Sequence, residues 1–132
     1  MPFPITGLYA GLAALLLLAL SLRVIRARYA TGVEIGDGGD PALARRIRSQ
    51  ANFVEYVPVA LIVIAMAEAN GEPGWVVHAL GAALIVGRTA HAIGFVARRG
   101  RTAGRSIGMV LTYLVLAVGG VLAAARWFDW AG

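Results

Sequence analysis

The sequence predicts an all-α fold: a polytopic four-helix membrane bundle, built as one domain from 132 residues. Three observations predict it. Hydrophobic residues make up 59% of the chain, well above the ~45–50% typical of soluble domains, and the mean hydropathy is +0.74. Apolar runs cover residues 5–22, 53–69, 75–96 and 107–128, each near the ~20 residues that cross a bilayer core. Charge gathers between these runs, and little chain remains to build anything else. The spans are expected at about residues 5–22, 50–69, 75–96 and 106–128.

The first residues, "MPFPITG", have no Lys or Arg, so the charged start of a removable signal peptide is missing ahead of helix 1. Helix 1 ends on "RVIRARY", a stop-transfer pattern, and is expected to stay in the mature protein. Gly7 and Gly11 in "GLYAG" form a GxxxG arrangement suited to close helix approach. In "GDGGDP", Asp40 before Pro41 reads as an N-cap with proline at the first helical position. Helix 2 is therefore expected from Pro41 to about Ala69, with its first two turns beyond the lipid. An EF-hand reading of the aspartates fails on spacing. Helix 3 carries Gly87 and Gly94 as packing positions, and helix 4 opens at Arg105.

Charge sets the expected topology. The net charge of +5 comes wholly from arginine, since there is no lysine. Arg23, Arg26, Arg28, Arg45, Arg46 and Arg48 lie around the first connection, and Arg98, Arg99, Arg101 and Arg105 around the third. The middle connection, "EANGEPG", has two glutamates and no arginine. The positive-inside rule then places both termini outside and the basic loops in the cytoplasm. Trp75, Trp127 and Trp130 fall at the opposite interface, as an aromatic belt would. Because the arginines flank apolar spans, nucleic acid is not an expected partner. The lack of cysteine excludes disulfides, thiolate metal sites and a protein thiol nucleophile. His78 and His91 are about 20 Å apart along one helix, too far to share a metal, and no metal is expected.

The stretch "RRIRSQANFVEYVP" concentrates the polar chemistry. Arg48, Asn52, Glu55 and Tyr56 are spaced i, i+4, i+7, i+8 on one helical face, with Gln50 on nearly the opposite side. Pro58 frees a carbonyl one turn before it. These residues are either interfacial anchors or the wall of a site. Asn52 and Glu55 favour the site, since polar groups at lipid depth face a protein interior or a water-filled cavity. On helix 3, Arg88, His91 and Phe95 make a second strip; His91 could donate a proton or bridge helices. On helix 4, Arg105 is either an anchor or a cation facing the same cavity, and Thr112 and Tyr113 follow two turns later.

The motif Arg-x-x-x-Asn-x-x-Glu-Tyr-x-Pro, here Arg48, Asn52, Glu55, Tyr56 and Pro58, resembles helix 2 of the membrane-associated proteins in eicosanoid and glutathione metabolism, the MAPEG family. "RVIRARY", "GRTAHAIGF" and "GRSIGM" extend the likeness over the four spans, in the manner of small bacterial members. The resemblance implies an inner-membrane homotrimer, with glutathione as co-substrate between neighbouring subunits near the cytoplasmic face. It implies ligand contacts at Arg28, Arg48, Gln50, Asn52, Glu55 and Tyr56 and a catalytic role for Arg105, while the helix 3 strip adds Arg88 as a ligand contact and His91 as a catalytic candidate. Arginines would grip the carboxylates, Glu55 the ammonium, and Arg105 would favour the thiolate over the thiol. The thiolate would attack a hydrophobic electrophile or reduce a lipid hydroperoxide. Family enzymes often carry tyrosines where this chain has His91 and Phe95, and Phe95 has no donor. The alternatives are a non-catalytic lipid- or glutathione-binding protein of the same fold, and a small proton-coupled exporter using Glu55.

Overall fold

In the computed structural model, which describes residues 3–97 and 102–131 (side chains of 96, 97 and 128–131 excepted), the chain forms four helices. They are α1 (Pro4–Thr31), α2 (Pro41–Ala69), α3 (Gly74–Ala97) and α4 (Ala103–Ala131). Arg98, Arg99 and Arg101 of the basic connection and the side chain of Trp130 lie outside the described residues. All four helices are long and apolar enough to cross a membrane. No strand occurs among the described residues.

Local chemistry sets the helix ends. The Asp40 side chain accepts from the Ala42 amide at 2.7 Å, and Pro41 starts α2, as the sequence expects. Gly32 ends α1 at φ +68, a left-handed conformation that glycine adopts without steric cost. The apolar run of α1 stops at Leu22, but the helix continues through Thr31. Its basic last turns therefore extend beyond a hydrocarbon layer of ~30 Å.

Consecutive helices run antiparallel. The amide of Thr6 meets Glu68, Gln50 meets Ser21, and Arg88 meets both Asn52 on α2 and Thr112 on α4. Both α2 and α3 touch every other helix, except that α1 and α4 do not meet among the described residues. The core holds Phe53, Val57, Ala60 and Ile64 of α2 against Val77, Leu80 and Leu84 of α3 and Val115 of α4. The outward rows, such as Leu8, Leu12, Leu15 and Leu18 of α1, are exposed on the single chain.

Water does not drive helices together inside a bilayer, so close packing and buried hydrogen bonds must do it. The α3–α4 seam shows how. A Cβ at Gly104 would lie 2.8 Å from the Ala90 carbonyl oxygen, and one at Gly94 would lie 2.7 Å from the Arg105 amide nitrogen. Gly87 likewise faces Gly108 and Leu111. Backbone against backbone, this seam fixes the start of α4 beside His91 and Phe95. Gly7 and Gly11 have no such partner within the chain, where an added Cβ would meet nothing within 4 Å.

Candidate functional site

The polar strip of α2 lies toward the arginine-rich end of the bundle. Counting ~30 Å back from Ala69 puts Arg48 at the hydrocarbon edge and Glu55 about 10 Å inside it. Arg48 Nη1 donates to Glu55 Oε1 at 3.0 Å, two helical turns along the same face. This is the one ion pair among the described residues. Both side chains point out of the bundle, at 60% and 45% exposure. Beside them, the Tyr56 and Tyr113 hydroxyls are 3.5 Å apart, at the outer limit of a hydrogen bond, with the rings edge to face.

Asn52 turns inward from the same strip. Its Oδ1 accepts from Arg88 Nη2 at 2.6 Å, short as charge-assisted bonds are. Arg88 is only 1% exposed, so it lies beneath the strip and not in its open surface. Its Nη1 reaches Thr112 Oγ1 at 3.4 Å and the Met109 sulfur at 3.7 Å, and its Nη2 lies 3.4 Å from His91 Nδ1. Phe53 and Tyr56 flank the guanidinium, each ring centroid 5.9 Å from Cζ. Its Nε has no partner. None of the Arg88 partners is a carboxylate. A cation thus sits within the protein, held by neutral groups, directly behind Asn52.

From Arg88 the contacts continue to α4. The His91 ring packs on Phe95 at 5.4 Å, and the Arg105 guanidinium lies 4.2 Å from the Phe95 ring centroid. Arg105 lies in the first turn of α4, where the Gly94–Gly104 approach places it. Asn52, Arg88, His91, Phe95 and Arg105 therefore form one continuous row beside the Arg48–Glu55 pair.

Two of the residues expected at the site are elsewhere in the chain. Gln50 Nε2 donates to Ser21 Oγ of α1 at 2.8 Å, on the opposite side of α2 from the strip. Arg28 Nη1 donates to the carbonyls of Val33, Glu34 and Gly36 at 3.3, 2.9 and 3.0 Å, which ties down the loop after α1. Tyr113 and Thr112 join the site although only their position on helix 4 is noted from the sequence. The available signal is their depth, two turns into a helix whose start carries Arg105.

A second polar cluster closes the other end of the bundle. Glu68 accepts from the amides of Ile5 and Thr6 and from the Thr6 hydroxyl at 2.6–2.9 Å, capping α1 from α2. Tyr9 and His78 meet at 3.1 Å nearby. Among the described residues, no three His, Cys, Asp or Glu side chains are grouped to hold a metal.

The fold and the strip together define a four-span membrane protein with an outward-facing polar strip on α2 backed by a buried arginine. The chain belongs to the MAPEG family, whose model matches residues 6–125. It is 41% identical over 112 residues to the inner membrane protein YecN of Escherichia coli (strain K12), which covers 85% of this chain and 84% of the relative. The YecN protein of Escherichia coli O6:H1 matches to the same extent.

Proposed function

We propose that the protein is a glutathione-dependent transferase or peroxidase acting on hydrophobic electrophiles or lipid hydroperoxides, assembled as a homotrimer in the inner membrane. The observation that carries this reading is the outward-facing Arg48–Glu55 pair at lipid depth. In water such a pair is worth little, and against acyl chains two charged side chains are costly. Cover by a neighbouring subunit and a polar ligand would remove that cost.

The residues fit a small peptide thiol. Arg48 offers a fork for a carboxylate, Glu55 an acceptor for an ammonium, and Asn52 and Tyr56 hydrogen-bonding groups for the peptide. Arg88, behind Asn52, adds positive potential without contacting solvent. It orients the Asn52 amide, leaving its NH2 free to donate. A neighbouring subunit's Arg28 and Gln50 would supply the remaining contacts. Arg105 would favour the thiolate over the thiol. His91, beside Arg88, would donate to the departing group. In conjugation the thiolate forms a sulfur–carbon bond to an aryl halide as the carbon–halogen bond breaks and the halide leaves. In peroxide reduction two glutathione molecules supply the two electrons, yielding an alcohol, water and glutathione disulfide. The charge asymmetry supports outside termini and a site near the cytoplasmic face.

The test is steady-state turnover of the detergent-purified protein with glutathione and a panel of aryl halides and lipid hydroperoxides. The expected result is conjugate or alcohol formation, with kcat at least ~10-fold lower in Arg105→Ala and glutathione affinity little changed. One observation favours a second reading, binding without turnover. Phe95 lies against Arg105 with no hydroxyl to donate. Saturable glutathione binding with no turnover across the panel would establish that reading instead.

A further inference from the structure

A second arginine cluster lies away from this site. Arg23 and Arg26 of α1 and Arg46 of α2 surround a cavity of about 310 Å³, completed by Ala27 and Ala30. Arg23, Arg26, Ala27 and Ala30 are spaced i, i+3, i+4, i+7, so they form one face of α1 turned toward α2. Arg28 lies 200° around the helix from Arg26 and binds the following loop, so it belongs to a different surface. The three guanidiniums make no ion pair and no hydrogen bond with the described residues, and no carboxylate lines the cavity.

Depth gives the cluster its meaning. Arg23 is about 29 Å along α1 from Pro4, at the edge of a ~30 Å hydrocarbon layer, and Arg26 is one turn further out. Lipid phosphates occupy that level. The positive-inside preference asks only that arginines lie on this side of the bilayer. It does not ask that three of them, from two helices, converge unpaired on one recess with alanines as its floor. The small side chains leave room for a headgroup, and three forked donors suit phosphate oxygens.

We infer that this recess binds the phosphate of an anionic phospholipid headgroup, held between α1 and α2 by Arg23, Arg26 and Arg46. The inference does not rest on the thiol chemistry proposed above. A basic pocket between spanning helices takes up anionic lipid, with each nearby arginine adding to the attraction at the membrane surface.

Native mass spectrometry of the detergent-purified protein tests it, by titrating phosphatidylglycerol and phosphatidylcholine of matched acyl chains, with inorganic phosphate as a third arm. The expected result is at least ~10-fold preference for phosphatidylglycerol over phosphatidylcholine. That preference should disappear in the triple variant Arg23→Gln, Arg26→Gln, Arg46→Gln, while Arg48→Gln keeps it. If the triple variant does not fold, Arg26→Gln and Arg46→Gln singly should each reduce the preference at least ~3-fold. Equal binding of the two lipids by wild type would overturn the proposal, as it would if a second copy of the chain filled the recess. Retained preference in the folded variants would also overturn it. Inorganic phosphate that binds as tightly as phosphatidylglycerol and displaces it would show a free-phosphate site instead of a lipid site.

Discussion

At the residue scale the hinge of the account is Arg88 and its 2.6 Å bond to Asn52. Removing Asn52 leaves a buried cation without its closest acceptor, so Asn52→Ala should cost about 1.5–3 kcal/mol. In a thermal melt this would appear as a lowered Tm. Because the two side chains act as a unit, Asn52→Ala and Arg88→Ala should be non-additive, with a coupling of at least ~0.5 kcal/mol in a double-mutant cycle. Additive effects would mean that the bond organises nothing. The strip on α2 is legible from the sequence, because helix geometry alone puts Arg48, Asn52, Glu55 and Tyr56 on one face and Gln50 on the other. The burial of Arg88 is not legible, because it depends on how α3 is rotated against α2 and α4. The tether from Arg28 to three loop carbonyls is hidden for a related reason: it depends on the path of a glycine-rich loop, which no helical periodicity describes.

At the scale of the element, two devices position the site and can be tested separately. The first is the α3–α4 seam. Gly104→Ala would drive a methyl group into the Ala90 carbonyl, and should cost about 1–3 kcal/mol and loosen Arg105. By contrast Gly7→Ala, which meets open space, should change the stability of the single chain by less than ~0.5 kcal/mol. Parallel thermal melts of the two variants check the contrast. The second device is the cap that Glu68 gives α1. Glu68→Ala strands the amides of Ile5 and Thr6, at a cost of about 1–2 kcal/mol. Hydrogen exchange should then show faster opening confined to the first turn of α1. The local cap at Asp40 is readable from "DP" because donor and acceptor are neighbours in sequence. The Glu68 cap joins residues more than sixty positions apart, and only the antiparallel pairing of α1 with α2 reveals it.

For the whole molecule, the proposed function requires more than one chain to complete the site, because the polar strip faces outward. Arg48 and Glu55 look away from the bundle, while Arg28 and Gln50 sit on other surfaces of the same chain. A homotrimer would bring these surfaces together, and native mass spectrometry in mild detergent should record three chains per particle. The membrane character of the fold is fully legible in the four apolar runs, since length and composition decide which segments can span a bilayer. Subunit contacts are not, because the same small residues and outward leucines serve lipid and neighbour alike. The central claim is that the α2 strip is a thiol-peptide site. Calorimetry of glutathione binding to the purified protein tests it most directly, comparing wild type with Arg48→Ala and Glu55→Gln. The account predicts saturable binding by wild type and at least ~10-fold weaker binding in each variant, a loss of about 1.4 kcal/mol. No binding by folded wild type, or binding unchanged in both variants, would contradict it and leave the strip as a membrane anchor.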